Sequence, residues 1–229
     1  MLHVVMGLKT LTGVENRERR SKPVLHQLLI SCLAMGFFGS FSGELASAQD
    51  LPALEASGAQ IFRNDAGTVI EVQANHLVID LKHIKELGTL QHLTDLSLEG
   101  ARFSDADMAK LSVLPKLEWL NLWNTETGDL TCKTLAKFPS LQELPIGGTL
   151  ITDKGLASIY NLKQLTYLGL RNNQGISNAG LPLLKTLPQL EGLYLGGTSV
   201  TDKGIQHLPD LPALKKLWLG KRNHRRGDP

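Results

Sequence analysis

The sequence is poor in the residues that staple or charge a small protein. Only two cysteines, Cys32 and Cys132, occur in 229 residues. A disulfide-framed scaffold, which needs several bridges in a short chain, is therefore excluded. An excess of one charge is also missing, since 24 Lys and Arg face 22 Asp and Glu. The small basic surplus is local: Lys221, Arg222, Arg225 and Arg226 all fall in the last nine residues. The broad positive face that grips nucleic acid is absent, and no nucleic-acid partner is expected. The longest apolar stretch, 24–41, is broken by His26 and Gln27. It falls short of the roughly 20 apolar residues that span a bilayer.

Catalytic strings are missing as well. No H-E-x-x-H, G-x-S-x-G, G-x-x-x-x-G-K-[ST] or G-x-G-x-x-G occurs. Among seven histidines only His83 lies near another ligand type, three residues after Asp80. Such a pair can share a metal, but a solvated helix surface is the favoured reading. Cys132 occupies a slot that other segments fill with leucine or another apolar residue, and reads as a small buried hydrophobe rather than a nucleophile. The chain is expected to be no enzyme and to need no cofactor or metal.

What is present begins with a leader. Arg17, Arg19, Arg20 and Lys22 precede the 24–41 apolar stretch, and Ala46-Ser47-Ala48 follows as a small-x-small cleavage pattern. Residues 1–48 accordingly read as an export signal. An uncleaved anchor and a lipid attached at Cys32 are the alternatives, the second weakened by the apolar run continuing past Cys32. Removing the leader leaves 19 basic and 19 acidic residues and the single Cys132. The mature protein is expected to be exported, whether periplasmic, cell-surface or extracellular, without a stable membrane span.

From residue 69 the chain aligns with itself every 24 residues. Repeats begin at Val69, Leu93, Leu117, Leu141, Leu165 and Leu190, the fifth longer by one residue near Gln174-Gly175, and a partial seventh begins at Leu214. Position 4 of each is Val72, Leu96, Leu120, Leu144, Leu168, Leu193 and Leu217. Position 6 is Ala74, Leu98, Leu122, Ile146, Leu170, Leu195 and Leu219. Apolar residues two apart mark a strand, and those at positions 16, 19 and 22 recur every three residues as on a short helical or 3₁₀ turn. Ser104-Asp105, Thr152-Asp153, Ser177-Asn178 and Thr201-Asp202 stand where the helix should start and can accept its free amides. Pro115, Pro139, Pro188 and Pro212 stand where it should stop.

Leu93-Thr-Asp-Leu96-Ser-Leu98 and Leu117-Glu-Trp-Leu120-Asn-Leu122 carry the L-x-x-L-x-L pattern, and the chain resembles the leucine-rich-repeat proteins over about residues 69–219. Leu141-Gln-Glu-Leu-Pro-Ile-Gly-Gly-Thr-Leu-Ile-Thr-Asp-Lys-Gly-Leu156 is similar to the cysteine-containing subtype and its exported bacterial relatives. The resemblance implies an α/β leucine-rich-repeat solenoid, a horseshoe with a parallel concave sheet and short convex helices. It says almost nothing of the ligand. Two departures stand out. Position 9, often Asn or Cys in the family, is Thr125, Thr149, Asn173 and Thr198, which predicts a weaker hydroxyl ladder. Thr125-Glu-Thr-Gly-Asp-Leu-Thr-Cys132 lacks the Thr-Asp-x-Gly bend and predicts an irregular convex side.

Residues 49–68 read as an N-terminal cap, with a short helix over 51–57 and a hairpin around Asn64-Asp65-Ala66-Gly67. Residues 220–229 read as a disordered basic tail, leaving the last strand uncapped. Positions 3, 5 and 7 alternate with the leucines and should point out of the sheet. They bring all three tryptophans and two of three tyrosines to one face: Trp119, Trp123, Tyr167, Tyr194 and Trp218. Acidic Asp95, Glu99 and Glu143 and basic Arg171 and Lys216 flank them, with Glu143 between Trp119 and Tyr167. This spacing predicts one central aromatic patch and a second near the open end.

Exposed aromatics are typical of binding hot spots. The favoured function is a non-catalytic exported module that takes a protein, peptide or glycan partner on this face, with self-association through the uncapped C-terminal edge. A ubiquitin-ligase-type adaptor and a truncated, non-functional repeat fragment are the alternatives. The leader generates a direct expectation: the secreted product begins at Gln49, and mass spectrometry that finds residues 1–48 retained, or an acylated Cys32, refutes it.

Overall fold

A strand forms at each recurrence of the apolar pair at positions 4 and 6. The computed structural model describes residues 3–4, 49–206, 208 and 211–220. The rest of the expected leader and the basic tail beyond Gly220 lie outside the described residues. Strands β3 (Val69–Gln73), β4 (Asp95–Ser97), β5 (Trp119–Asn121), β6 (Glu143–Pro145), β7 (Tyr167–Gly169), β8 (Gly192–Tyr194) and β9 (Lys216–Trp218) lie side by side in sequence order, all parallel. Register pairs position 4 with position 4 throughout most of the sheet, as in Leu168 with Leu193 and Leu193 with Leu217. Between β5 and β6 the ladder narrows to Trp119 with Glu143, where Pro145 has no N–H to give.

The sheet is unclosed. At its N-terminal end β2 (Gln60–Arg63) pairs antiparallel with β3, after helix α1 (Pro52–Ala56). Asn64 fixes the turn between them, its Oδ1 accepting from the N–H of Ala66 and of Thr68. At the other end a two-residue strand β1 (His3–Val4) lies parallel against β9.

Behind the sheet the position-4 side chains from Val72 to Leu217 are all buried, and the leucines of successive units stack into one continuous core. Each such side chain contributes about 1.5–3 kcal/mol by leaving water. The return path is helical and short: α2 (Leu81–Thr89), α3 (Asp105–Met108), α4 (Asp129–Leu135), α5 (Asp153–Leu156), α6 (Asp202–Ile205), and 3₁₀ turns at Ile159–Asn161 and Leu181–Thr186. The chain leaves each strand through a left-handed residue at position 8: His76, Gly100, Asn124, Gly148, Asn172 and Gly197 all have φ between 55° and 73°. Side chains alternate with glycines along this row. A Cβ on Gly100 would collide with the His76 ring, and one on Gly197 with the Asn172 amide, so each side chain lies over the glycine of the next unit.

Polar coupling between units runs along the convex side. Asp105 Oδ1 accepts from Gly128 N–H and from the Thr131 hydroxyl of the following unit, at 2.7 and 2.5 Å. Asp129 accepts from Thr152 N–H and hydroxyl at 2.8 and 2.7 Å, and Asp153 from Ser177 N–H and hydroxyl at 2.9 and 2.6 Å. Asn178 continues the series to Thr201. The residue after each bend therefore does more than help start its own helix: it holds the bend of the next unit. This overturns the expectation of an irregular convex side after Thr125. Helix α4 is a regular seven-residue helix whose cap, Gly128, offers no side chain, and Asp105 of the preceding unit takes over the amides of Gly128 and Thr131.

The position-9 threonines behave differently from a ladder. Thr125, Thr149 and Thr198 donate back to the carbonyls of Leu122, Ile146 and Leu195 in their own units. The crossing between units is made at Asn173, whose side chain donates to Ile146 O and accepts from Thr149 N–H at 2.8 Å each, with the Thr149 hydroxyl also reaching its Oδ1 at 3.3 Å.

Asp153→Ala strips the Ser177 amide and hydroxyl of their acceptor without touching the leucine core. A stability loss of about 1–3 kcal/mol is expected, measured by urea unfolding; an unchanged midpoint would show that solvent replaces the ladder at no cost.

Candidate functional site

Strand register converts the sequence positions into rows. Position 3 runs Glu71, Asp95, Trp119, Glu143, Tyr167, Gly192, Lys216 across the sheet. Position 5 ends in Pro145, Gly169, Tyr194, Trp218. The five aromatic side chains are half-buried rather than free in solvent. For Trp123, Tyr167, Tyr194 and Trp218, glycines explain why. A Cβ on Gly192 would lie 3.0 Å from the Tyr167 ring and 3.3 Å from Trp218, one on Gly196 would meet the Tyr194 ring at 2.7 Å, and one on Gly147 would strike Trp123. The rings lie down across strands whose own positions 3, 5 or 7 are empty.

Lying flat, they join. Tyr167 meets Trp218 edge-on with centroids 6.0 Å apart, and Tyr194 meets the same Trp218 at 6.2 Å. The Arg171 guanidinium stands 5.6 Å from the Trp123 ring centroid and 5.7 Å from that of Tyr194, a cation–π arrangement on two rings. The expected division into a central and a terminal patch is thus corrected: Tyr167 belongs with Trp218, and Arg171 bridges Trp123 to Tyr194. One run, Trp123, Arg171, Tyr194, Trp218, Tyr167, occupies the C-terminal half of the face. Trp119 stands apart from this run, between Asp95 and Glu143 in its row. No hydrogen bond or ion pair among the described residues uses the Arg171 guanidinium donors.

The N-terminal half of the face is a polar network. Ser97 donates to Asn75 Oδ1 at 2.6 Å, and the Asn121 amide donates to Glu99 at 3.1 Å while its oxygen accepts from Trp123 N–H at 2.9 Å. Asp95 accepts from the Thr94 hydroxyl at 2.6 Å. Ser97 and Asn121, placed at an outward position by the alternation, are only 3% and 1% exposed. Their neighbours in the row cover them, so these residues organise the surface without forming it. Lys216 is exposed at the far edge.

The residues with catalytic or metal-binding potential are engaged elsewhere. His83 Nδ1 lies 2.7 Å from Asp80 Oδ1 inside the capping box of α2, and the bonds from the His83 backbone and ring lower the Asp80 carboxyl from its ordinary value. No group of three or more His, Cys, Asp or Glu able to hold a metal occurs among the described residues. Cys132 is fully buried; burial, and next the charges of Asp129 and Asp105, push its thiol from 9.0 up to about 12. Near the one-residue insertion an open depression is lined by Thr149, Leu150, Gln174 and Gly175 among others, and carries no titratable group. No described helix is long and apolar enough to cross a membrane.

Parallel one-turn units with leucines stacked in register define a repeat solenoid. The chain carries leucine-rich repeats: the leucine rich repeat family model matches residues 115–174. Among solved structures, an internalin from Listeria monocytogenes matches at 23% identity with a TM-score of 0.42, over 60% of this chain and 44% of the internalin. The match thus spans less than half of that protein's length. No curated protein matches the chain.

The glycine floor was not recognised from sequence, although a signal for it was present: in the repeat alignment Tyr167 adjoins Gly192 and Tyr194 adjoins Gly169. For Cys132, the raised folded pKa means that stability is full below about pH 9 and declines as pH rises toward 12, since the unfolded thiol loses its proton first. Thiol reagents at pH 7 should leave Cys132 unmodified until denaturant is added; rapid labelling of the native protein would contradict the buried, protonated thiol.

Proposed function

We propose that the protein is a non-catalytic, exported binding module that holds a polypeptide partner on its strand face. The observation that carries this reading is the continuous aromatic run with Arg171 set between two rings, its donors unused. Ring faces take up an aliphatic or aromatic side chain, and a guanidinium kept in place by its own neighbours presents a planar fork to a carboxylate or backbone carbonyl. Asp95, Glu99 and Glu143 offer negative charge at the other half of the face. A polypeptide supplies apolar, acidic and basic groups together. A glycan shares only the stacking part of this chemistry and fits less of the face. Leucine-rich-repeat folds are typical of protein-binding modules, and the leader-like residues 1–48 support a location outside the cytoplasm.

The test is affinity capture from envelope and surface extract with the wild-type protein and with the Arg171→Ala, Trp218→Ala double variant. Loss of a specifically captured polypeptide is expected, corresponding to a hot-spot effect of about 2 kcal/mol or more. Thermal stability should fall only slightly, because the leucine core is untouched. A variant that captures the same partner undiminished would move recognition off this face.

A further inference from the structure

The pairing of the strands carries on past their ends into position 7. His76 N–H donates to Glu99 O, Gly100 to Trp123 O, Asn124 to Gly147 O, Gly148 to Arg171 O and Asn172 to Gly196 O, at 2.7 to 2.9 Å. Glu99, Trp123, Gly147, Arg171 and Gly196 are therefore one row across the strand face, each member one strand spacing from the next.

The two glycines decide what this row presents. The Trp123 ring leans from its own strand over Gly147, where a Cβ would strike it. Arg171, with a glycine on either side, holds its guanidinium 5.6 Å from the Trp123 centroid and 5.7 Å from that of Tyr194. At the other end of the row one carboxylate oxygen of Glu99 accepts from the Asn121 amide at 3.1 Å, and no hydrogen bond among the described residues uses the second. The row thus offers an anion, a ring and a cation in that order. From Glu99 to Arg171 is three strand spacings, about 14 Å, and the Trp123 ring lies near the midpoint. An extended polypeptide turns the side chains at i, i+2 and i+4 to one face, and four residues advance about 13 Å. The two spacings match, so three side chains of one extended segment can meet all three groups together. A guanidinium takes a carboxylate through two parallel N–H···O bonds, an indole face takes an apolar side chain, and the Glu99 carboxylate takes a cation.

Resting on the reading of this face as a polypeptide site, we propose that the position-7 row is a three-point reader of an extended segment that crosses the strands. The segment carries an acidic residue on Arg171, an apolar one on Trp123 and a basic one on Glu99, at alternate positions i, i+2 and i+4 in either chain direction. A segment of like charge at either end is rejected, because the charge would give up water and meet repulsion in its place.

Selection of a displayed library of linear peptides on the full chain tests this register. The wild type should enrich opposite charges four residues apart with an apolar residue midway. Arg171→Glu should enrich basic residues at both outer positions, Glu99→Lys acidic residues at both, and Trp123→Ala should keep the charges while losing the apolar preference. Because each variant is expected to select peptides of its own, lost specificity is told apart from lost folding. Peptides selected on the wild type should bind the two charge variants at least about tenfold more weakly. Enriched peptides without this spacing, or with one indifferent to the three variants, would overturn the register while leaving a polypeptide site standing. Selection of no peptide would overturn the register as well, and capture from extract then decides separately whether the face holds a polypeptide.

Discussion

Everything in this molecule depends on successive units staying in register through every layer. On the strand side the spacing is set by the backbone ladder at about 4.8 Å. An ordinary α-helix is about 10 Å wide with its side chains, so long helices on the opposite side would force the units apart. The convex elements are accordingly brief, several of them four residues or a 3₁₀ turn. Two further devices hold the spacing where no strand does. Left-handed position 8 alternates a side chain with a glycine, and Asp105, Asp129, Asp153 and Asn178 each grip the bend of the next unit. The leucines can stack only because these three systems agree.

The same regularity gives the strand face its character. A residue on one strand has fixed neighbours one spacing away, so a glycine in a row is a vacancy into which the next ring can fall. Tyr167 and Trp218 meet over Gly192, with Tyr194 on the other side of Trp218. Toward the N-terminal half the rows hold Ser97, Asn121, Glu99 and Asp95, whose side chains bond to one another or to backbone. One half of the face is therefore apolar with a cation set in it, the other polar and acidic. A solenoid presents such a gradient over a long surface with little change in its backbone, and the ligand is decided by the rows rather than by the fold.

The two ends of the sheet differ in kind. An antiparallel hairpin terminates the N-terminal side, and its turn is fixed by Asn64. On the C-terminal side β1, two residues drawn from the far end of the sequence, lies against β9.

The sequence by itself determined the architecture. Positions 4 and 6 must be apolar in every unit for neighbours to stack, and this one-dimensional requirement is written every 24 residues whatever the rest of the chain does. The family, the parallel order of the strands and the outward set of aromatics follow from that period. Other features depend on pairs of residues one repeat apart, and a pattern within a unit does not display them. The Asp153 to Ser177 and Asn178 to Thr201 bonds were legible only as helix starts, Asn121 only as an outward side chain, and the rings only as two patches. Where a side chain comes to rest is set by the volume its neighbour on the next strand leaves open. That volume exists only once the strands are side by side, so the joining of Tyr167, Trp218, Tyr194, Arg171 and Trp123 into one surface was decided by the tertiary structure alone.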